Sequence, residues 1–284
     1  MYVAEILNGL PREETIDWVE HVSIELTTRM LATLFAFPFE GRRLLTYLSD
    51  LAVLDLKAGG DIDTEEKRLE ALQPCFEYSM RLFNERKDQA PGIDLITMLA
   101  HSPHTRSMDA REFLSTLILL IVGGNDTTRN SILGGLLALN ENPDEWHKLR
   151  KDPGLVSKFV PEIIRWQTPL THMRRTTTVD TEVAGQTIPG GSKVIMWYLS
   201  GNRDSDAIPD ADRFIVDRAR PRQHLSFGFG VHRCVGNRLA EMQLSILWEE
   251  ILDRGLQIDV ASAPTRTFSN VVHGFTHMPV HIAA

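Results

Sequence analysis

The run Phe227-Gly228-Phe229-Gly230-Val231-His232-Arg233-Cys234-Val235-Gly236 sets a single cysteine in a glycine-rich turn just ahead of a helical pattern that starts near Asn237. Gly230 permits the left-handed or bulged backbone of a tight hairpin, and Gly236 permits close approach where the helix starts. Phe227 can wall off the sulfur. The first turn of the helix, from Asn237 through Leu239 to Glu241, directs unpaired N–H groups and a positive dipole end back toward Cys234. Both are expected to favour thiolate over thiol, and hydrogen bonds to a metal-bound sulfur would tune the metal. Cys75, in a helical stretch without ligand-type neighbours, reads instead as a small buried hydrophobe.

With 284 residues, 43% of them hydrophobic, the chain can bury a substantial core. Two cysteines far apart give neither a disulfide framework nor a paired-cysteine zinc pattern, which fits a reducing, cytoplasmic setting. No signal peptide is expected from Met1–Leu10. The most apolar stretch, Phe113–Val122, is too short for the roughly 20 residues a bilayer needs. A formal charge of −8 argues against nucleic acid as the main partner. Yet Arg218, Arg220, Arg222, Arg233 and Arg238 crowd a span without Asp or Glu, and a split is expected: some pair inward with carboxylates, the rest form a basic surface around the Cys234 loop.

Apolar spacings of three and four predict helices over Val19–Phe37, Leu44–Leu56, Glu65–Asn84 and Ile93–Ala100, separated at Pro38, Gly59-Gly60 and Pro91-Gly92. Asp109 and Glu112 form a capping-box signature for a helix running to about Asn140, about 46 Å at 1.5 Å per residue. Helices follow at Asp144–Lys151, Leu155–Gln167 and Asn237–Asp253. Short strands are expected at Arg174–Val179, Thr181–Ile188 and Lys193–Leu199, then an irregular meander over 201–224 and a strand-and-loop tail. The fold class is mainly α with small β-sheets (α+β) in one domain, 1–284, helical to about residue 170 and strand, meander, ligand loop and last helix thereafter.

Inside the long helix, Gly123-Gly124 costs roughly 1–2 kcal/mol relative to alanine, so something should offset it. Missing Cβ atoms let a flat cofactor approach, and the Thr127 hydroxyl can bond the Gly123 carbonyl. The plainer alternative is close helix packing beside a solvated Asp126. Glu162 and Arg165 stand three apart on one helix face and can pair. Trp146-His147-Lys148-Leu149-Arg150 reads as ordinary helix surface with Trp146 packed inward.

The Phe-x-x-Gly-x-x-x-Cys-x-Gly spacing resembles the haem-ligand loop of the cytochrome P-450 superfamily, at every fixed position. The resemblance implies iron protoporphyrin IX (heme b) ligated by Cys234, with Phe227 and Gly236 lining the cofactor. It makes Asp126 and Thr127 the acid–alcohol pair that supports proton delivery to dioxygen, and Glu162, Arg165 and a meander arginine, here Arg213, a buried structural triad. His232 and Arg175 become partners of the haem propionates, with Arg174 or a meander arginine as substitutes. It covers only the later part of a family member, so the chain is expected to be N-terminally incomplete.

The stretches Ile121–Asn130, Arg165–Leu170 and His224–Gly230 look most like bacterial terminal hydroxylases of alkanes and fatty acids, which draw electrons from NAD(P)H through a ferredoxin reductase and a ferredoxin; the basic surface around Cys234 suits an acidic one. Leu119, Val122, Gly123, Leu170, Val271 and Val272 are then the candidate walls for an apolar substrate, or plain core. Three other readings stay open: a non-catalytic haem-binding remnant, a hydroxylase of terpenoid or other compact substrates, and a cysteine-nucleophile hydrolase using His232. The last leaves Gly123-Gly124 and the Glu162–Arg165 pair unexplained.

Overall fold

A computed structural model describes residues 1–283. Its axis is α6 (Ala110–Glu141), 32 residues long. Asp109 Oδ1 accepts the Glu112 N–H at 2.8 Å and Glu112 Oε2 accepts the Asp109 N–H at 3.1 Å, the reciprocal cap that the sequence predicts. Pro143 then opens α7 (Pro143–Lys151).

Two cores meet along α6. Its first half packs Phe113, Leu117 and Ile121 against α2 (Glu25–Phe35), α3 (Arg43–Val53), α4 (Glu65–Lys87) and α5 (Leu95–His101). Its second half packs Ile132, Leu133, Leu136 and Leu139 with α1 (Tyr2–Asn8), α8 (Val156–Gln167) and α10 (Asn237–Asp253). A Cβ on Gly135 would stand 2.8 Å from Ile163 Cδ1, so α8 can lie this close only against glycine.

The sheets are small and antiparallel. β1 (Thr15–Asp17), β9 (Pro279–Ile282) and β6 (Ile258–Val260) form the order β1-β9-β6. β2 (His172–Thr176) pairs with β5 (Lys193–Trp197), and β7 (Thr265–Arg266) with β8 (Phe275–His277).

Three expectations need correction. The stretch 181–188 is a hairpin, β3 (Thr181–Val183) and β4 (Gln186–Ile188), because Ala184 and Gly185 both take positive φ between them. The helix expected from Val19 begins as a π-helical segment, Val19–Ile24, before α2. Both α1 and β1 escape the periodicity. They are too short to show a period, and pairing of Ile16 with Val280 across the chain defines the strand. After β5, α9 (Tyr198–Gly201) is a single turn leading into the meander.

Candidate functional site

Gly228 (φ +64°) and Gly230 (φ +70°) take the left-handed turns that other residues resist. They fold the loop back so that the Cys234 N–H donates to the Phe227 carbonyl at 2.8 Å. Cys234 is exposed as a residue at the end of this closed loop, although the surrounding loop atoms partly desolvate its thiol, and Gly236 is the N-cap of α10. Phe227 is half-buried against the second core.

The thiol's electrostatics correct the sequence reading. Partial burial pushes the Cys234 thiol above its ordinary range, against the opposing pull of the Gly236 N–H and the Arg233 charge. The loop therefore positions the sulfur, and a bound metal ion would be what displaces the proton. Cys75 is buried, and desolvation raises its thiol to about 11, as suits an inert core residue.

Behind the loop lies a fully buried ion network. Glu162 and Arg165 are each 0% exposed. The Glu162 carboxylate accepts two bonds from Arg165, both at 2.8 Å, two from Arg218, at 2.8 and 3.2 Å, and one from the Ile215 N–H at 2.9 Å. The third member is thus Arg218, not Arg213. The meander turns the Arg213 carbonyl inward, where it accepts from both Arg165 and Arg218. That leaves the Arg213 side chain 71% exposed, 3.9 Å from Asp210. Residue order along the meander could not settle this choice; its backbone path does. His224, buried beside Phe227, is held neutral, its pKa lowered to about 4 by desolvation and by the Arg165 charge.

The basic stretch divides as expected. Arg218 turns inward, Arg222 pairs with Glu241 at 3.0 Å, and Arg220, Arg233 and Arg238 make no ion pair among the described residues. Arg174, Arg175 and His232 likewise have no carboxylate partner there. Arg175 Nη1 reaches only the Arg174 carbonyl, at 2.9 Å. Strand alternation puts Arg174 and Arg175 on opposite faces of β2, so one of them at most faces any single ligand.

On α6 the glycine pair has two functions. A Cβ at Gly124 would lie 2.9 Å from Leu31 Cδ2, so that glycine serves helix packing, whereas Gly123 is exposed with nothing within 4 Å. The Thr127 hydroxyl donates to the Gly123 carbonyl at 2.8 Å, the bond its spacing predicts. Asp126 is not a solvated acid. It is 1% exposed, bonded by the Ser49 hydroxyl and by Arg129 Nη2 at 2.5 Å. Burial pushes its carboxyl up, with Arg129 opposing. Ser49 and Arg129 carried no sequence signal, because their meaning arises only when α3 packs on α6.

Of the candidate walls, Leu119 is 72% exposed and Gly123 follows it by one helical turn; Val122 is half-buried. Leu170 bridges to the buried Val272, and Val271 is partly exposed.

Do these residues fit a flat, apolar, iron-bearing macrocycle? Gly123, Gly230 and Gly236 all have open space where a Cβ would stand. Phe229, Val231 and Val235, the residues around the exposed sulfur, are 67%, 99% and 93% exposed, an apolar surface suited to being covered. With unpaired Arg175 and His232 for two carboxylates, the donor set fits haem. A cavity of about 330 Å³ lined by Glu145, Trp166 and Phe214 belongs to the α6–α7 turn rather than to this site. Trp146 packs inward against Trp248, as the sequence suggests.

Comparison with known proteins agrees. Residues 29–259 match the cytochrome P-450 family. Linalool 8-monooxygenase of Pseudomonas putida is 42% identical over 204 residues, 72% of this chain and 50% of its own length. Steroid C26-monooxygenase of Mycobacterium bovis is 33% identical over 269 residues, 93% of this chain and 60% of its own. Among solved structures, cytochrome P-450-153 from Novosphingobium aromaticivorans superposes with a TM-score of 0.91 at 46% identity, covering 99% of this chain and 68% of that one. The chain thus spans about half to two thirds of the length of these relatives.

Proposed function

Because this chain belongs to the cytochrome P-450 family, we propose that it is the later part of a haem-thiolate monooxygenase that hydroxylates an unactivated C–H bond at the end of an alkane or fatty acid chain. The observation that carries the reading is the exposed Cys234 sulfur, on a closed loop in front of the buried Glu162–Arg165–Arg218 network.

Cys234 would ligate iron protoporphyrin IX, with Arg175 and His232, or Arg174, toward the propionates. The cofactor supplies dioxygen activation, with the thiolate favouring O–O cleavage. The chain's own residues supply the rest. Gly236 N–H holds the sulfur, Phe227 screens it, and Gly123 gives the macrocycle room. Thr127 and Asp126 hold protons at the hydroxyl and at the carboxyl. Leu119, Val122, Leu170, Val271 and Val272 exclude water around an apolar chain end. Arg220, Arg233 and Arg238 offer a basic surface that an acidic ferredoxin, reduced by its NAD(P)H-dependent reductase, would meet with faster encounter. Among the described residues no helix is long and apolar enough to cross a membrane.

A second substrate class has support of its own. Of the two named relatives, one is a linalool 8-monooxygenase and the other a steroid C26-monooxygenase. Titrating the haem-loaded protein with a medium-chain alkane, a fatty acid, linalool and a sterol separates these readings. The expected result is a shift of the haem absorption band with the linear substrates at the lowest concentrations. Saturation by linalool or the sterol alone would replace the linear-chain assignment.

A further inference from the structure

Trp166 and Phe275 each carry an arginine over the ring, and both arginines open on one cavity. Arg203 Cζ stands 3.5 Å from the Trp166 centroid, and Arg203 Nη2 donates to the Trp166 carbonyl at 2.9 Å. Arg266 Cζ stands 4.0 Å from the Phe275 centroid, and Arg266 Nη1 lies 3.3 Å from His273 Nε2. The cavity, about 200 Å³, is lined by these two arginines together with Glu141, Trp166, Gln167 and His273.

The hydrogen bonds of His273 fix its tautomer. Its Nδ1 lies 2.6 Å from the Gln167 carbonyl, which can only accept, so Nδ1 carries the proton and Nε2 is left to accept from Arg266. Desolvation and the charges of Arg266 and Arg203 lower the His273 pKa against the pull of that carbonyl, which keeps the ring neutral at pH 7. The Gln167 side chain in turn donates to the His273 carbonyl at 2.6 Å, so α8 grips this residue twice.

Neither arginine has a carboxylate at ion-pair distance among the described residues; Asp212 and Glu162 act on Arg203, and Glu141 on Arg266, only through the longer-range field. Desolvation lowers both pKa values, that of Arg203 to about 10 with the like charge of Arg165 adding to it. A guanidinium partly withdrawn from water without a counter-ion is costly, and one already fixed on an aromatic ring gives up little further freedom when it gains one. Two such forks on one cavity suit an anion with at least three acceptor oxygens, one more than a carboxylate offers.

We propose that this cavity binds a small phosphate, either the free ion or the phosphate group of a small metabolite, between Arg203 and Arg266, with His273 orienting Arg266. Arg203 is anchored to α8 through Trp166, and Arg266 belongs to β7, so the bound anion ties the β7–β8 hairpin to the helical core. The loop of that hairpin carries Val271 and Val272, and occupancy therefore steadies two of the candidate substrate walls. The site shares no lining residue with the Cys234 loop and does not depend on the monooxygenase reading.

Titration calorimetry of the chain with inorganic phosphate and with glycerol phosphate, at ionic strength held constant with sodium chloride, tests the site without haem. One saturable site is expected. Tighter binding of glycerol phosphate assigns it to a phosphorylated metabolite, and tighter binding of inorganic phosphate to the free ion. Arg266→Gln should weaken binding by about tenfold or more, as expected for loss of a charged donor. Glu141→Gln removes a like charge from the cavity and should tighten it, a gain that a misfolded variant would not give. Phosphate should also slow amide exchange across β7 and β8 in the unsubstituted chain and leave it unchanged in Arg266→Gln. No saturable heat with either phosphate, or an affinity unmoved by Arg266→Gln or by Glu141→Gln, overturns the site.

Discussion

Replacing Cys234 by serine is expected to abolish haem-thiolate ligation while leaving the fold intact. The side chain is exposed, and the loop is closed by backbone, through the Cys234 N–H and Phe227 carbonyl and by two glycines with positive φ. A serine preserves each of those contacts. Surface substitutions of this kind shift stability by within about 0.5 kcal/mol, so the urea midpoint should scarcely move. Chemistry changes far more. A hydroxyl keeps its proton near neutrality and donates little electron density to iron, so monooxygenase turnover should vanish. Haem binding with an unaltered spectrum in Cys234→Ser would place the ligand elsewhere.

The largest stability effect is expected at Glu162. Its carboxylate is, among the described residues, the one anion bonded to both Arg165 and Arg218, and five hydrogen bonds converge on it. Glu162→Gln keeps the shape but leaves Arg165 and Arg218 without counter-charge in a site where both are almost fully buried. Removing one partner of a buried pair costs about 3–5 kcal/mol. Backbone carbonyls of Asn202, Ala211 and Arg213 still accept from Arg165, which keeps the loss toward the lower end. Urea unfolding should show the midpoint falling at constant slope. A loss below about 1 kcal/mol would mean that those carbonyls alone suffice to hold the meander. Arg213→Ala, removing an exposed side chain, provides the contrast and should be nearly silent.

How much of this was legible follows from what each residue needs. The α6 cap, the Thr127–Gly123 bond and the start of α10 are local: partners lie within four residues, and spacing reveals them. The cysteine loop is also local, which is why ten residues point to the ligand. Arg218 was visible only as one of several meander arginines, because its role depends on a backbone path with little periodicity. Ser49 and Asp50 are ordinary residues on an ordinary helix until α3 meets α6, 77 and 79 positions from their partners in sequence. The raised Cys234 thiol has a related cause. The favourable N–H and charge can be read from the chain, but the desolvation that outweighs them is a property of packing.

The central claim is a sulfur–iron bond at Cys234, and the absorption spectrum of the reduced, carbon monoxide-treated protein after loading with haem tests it most directly. Thiolate ligation predicts the strongly red-shifted band of that complex. A band at the position of imidazole-ligated haem, or a polypeptide that takes up no haem at all, would contradict it.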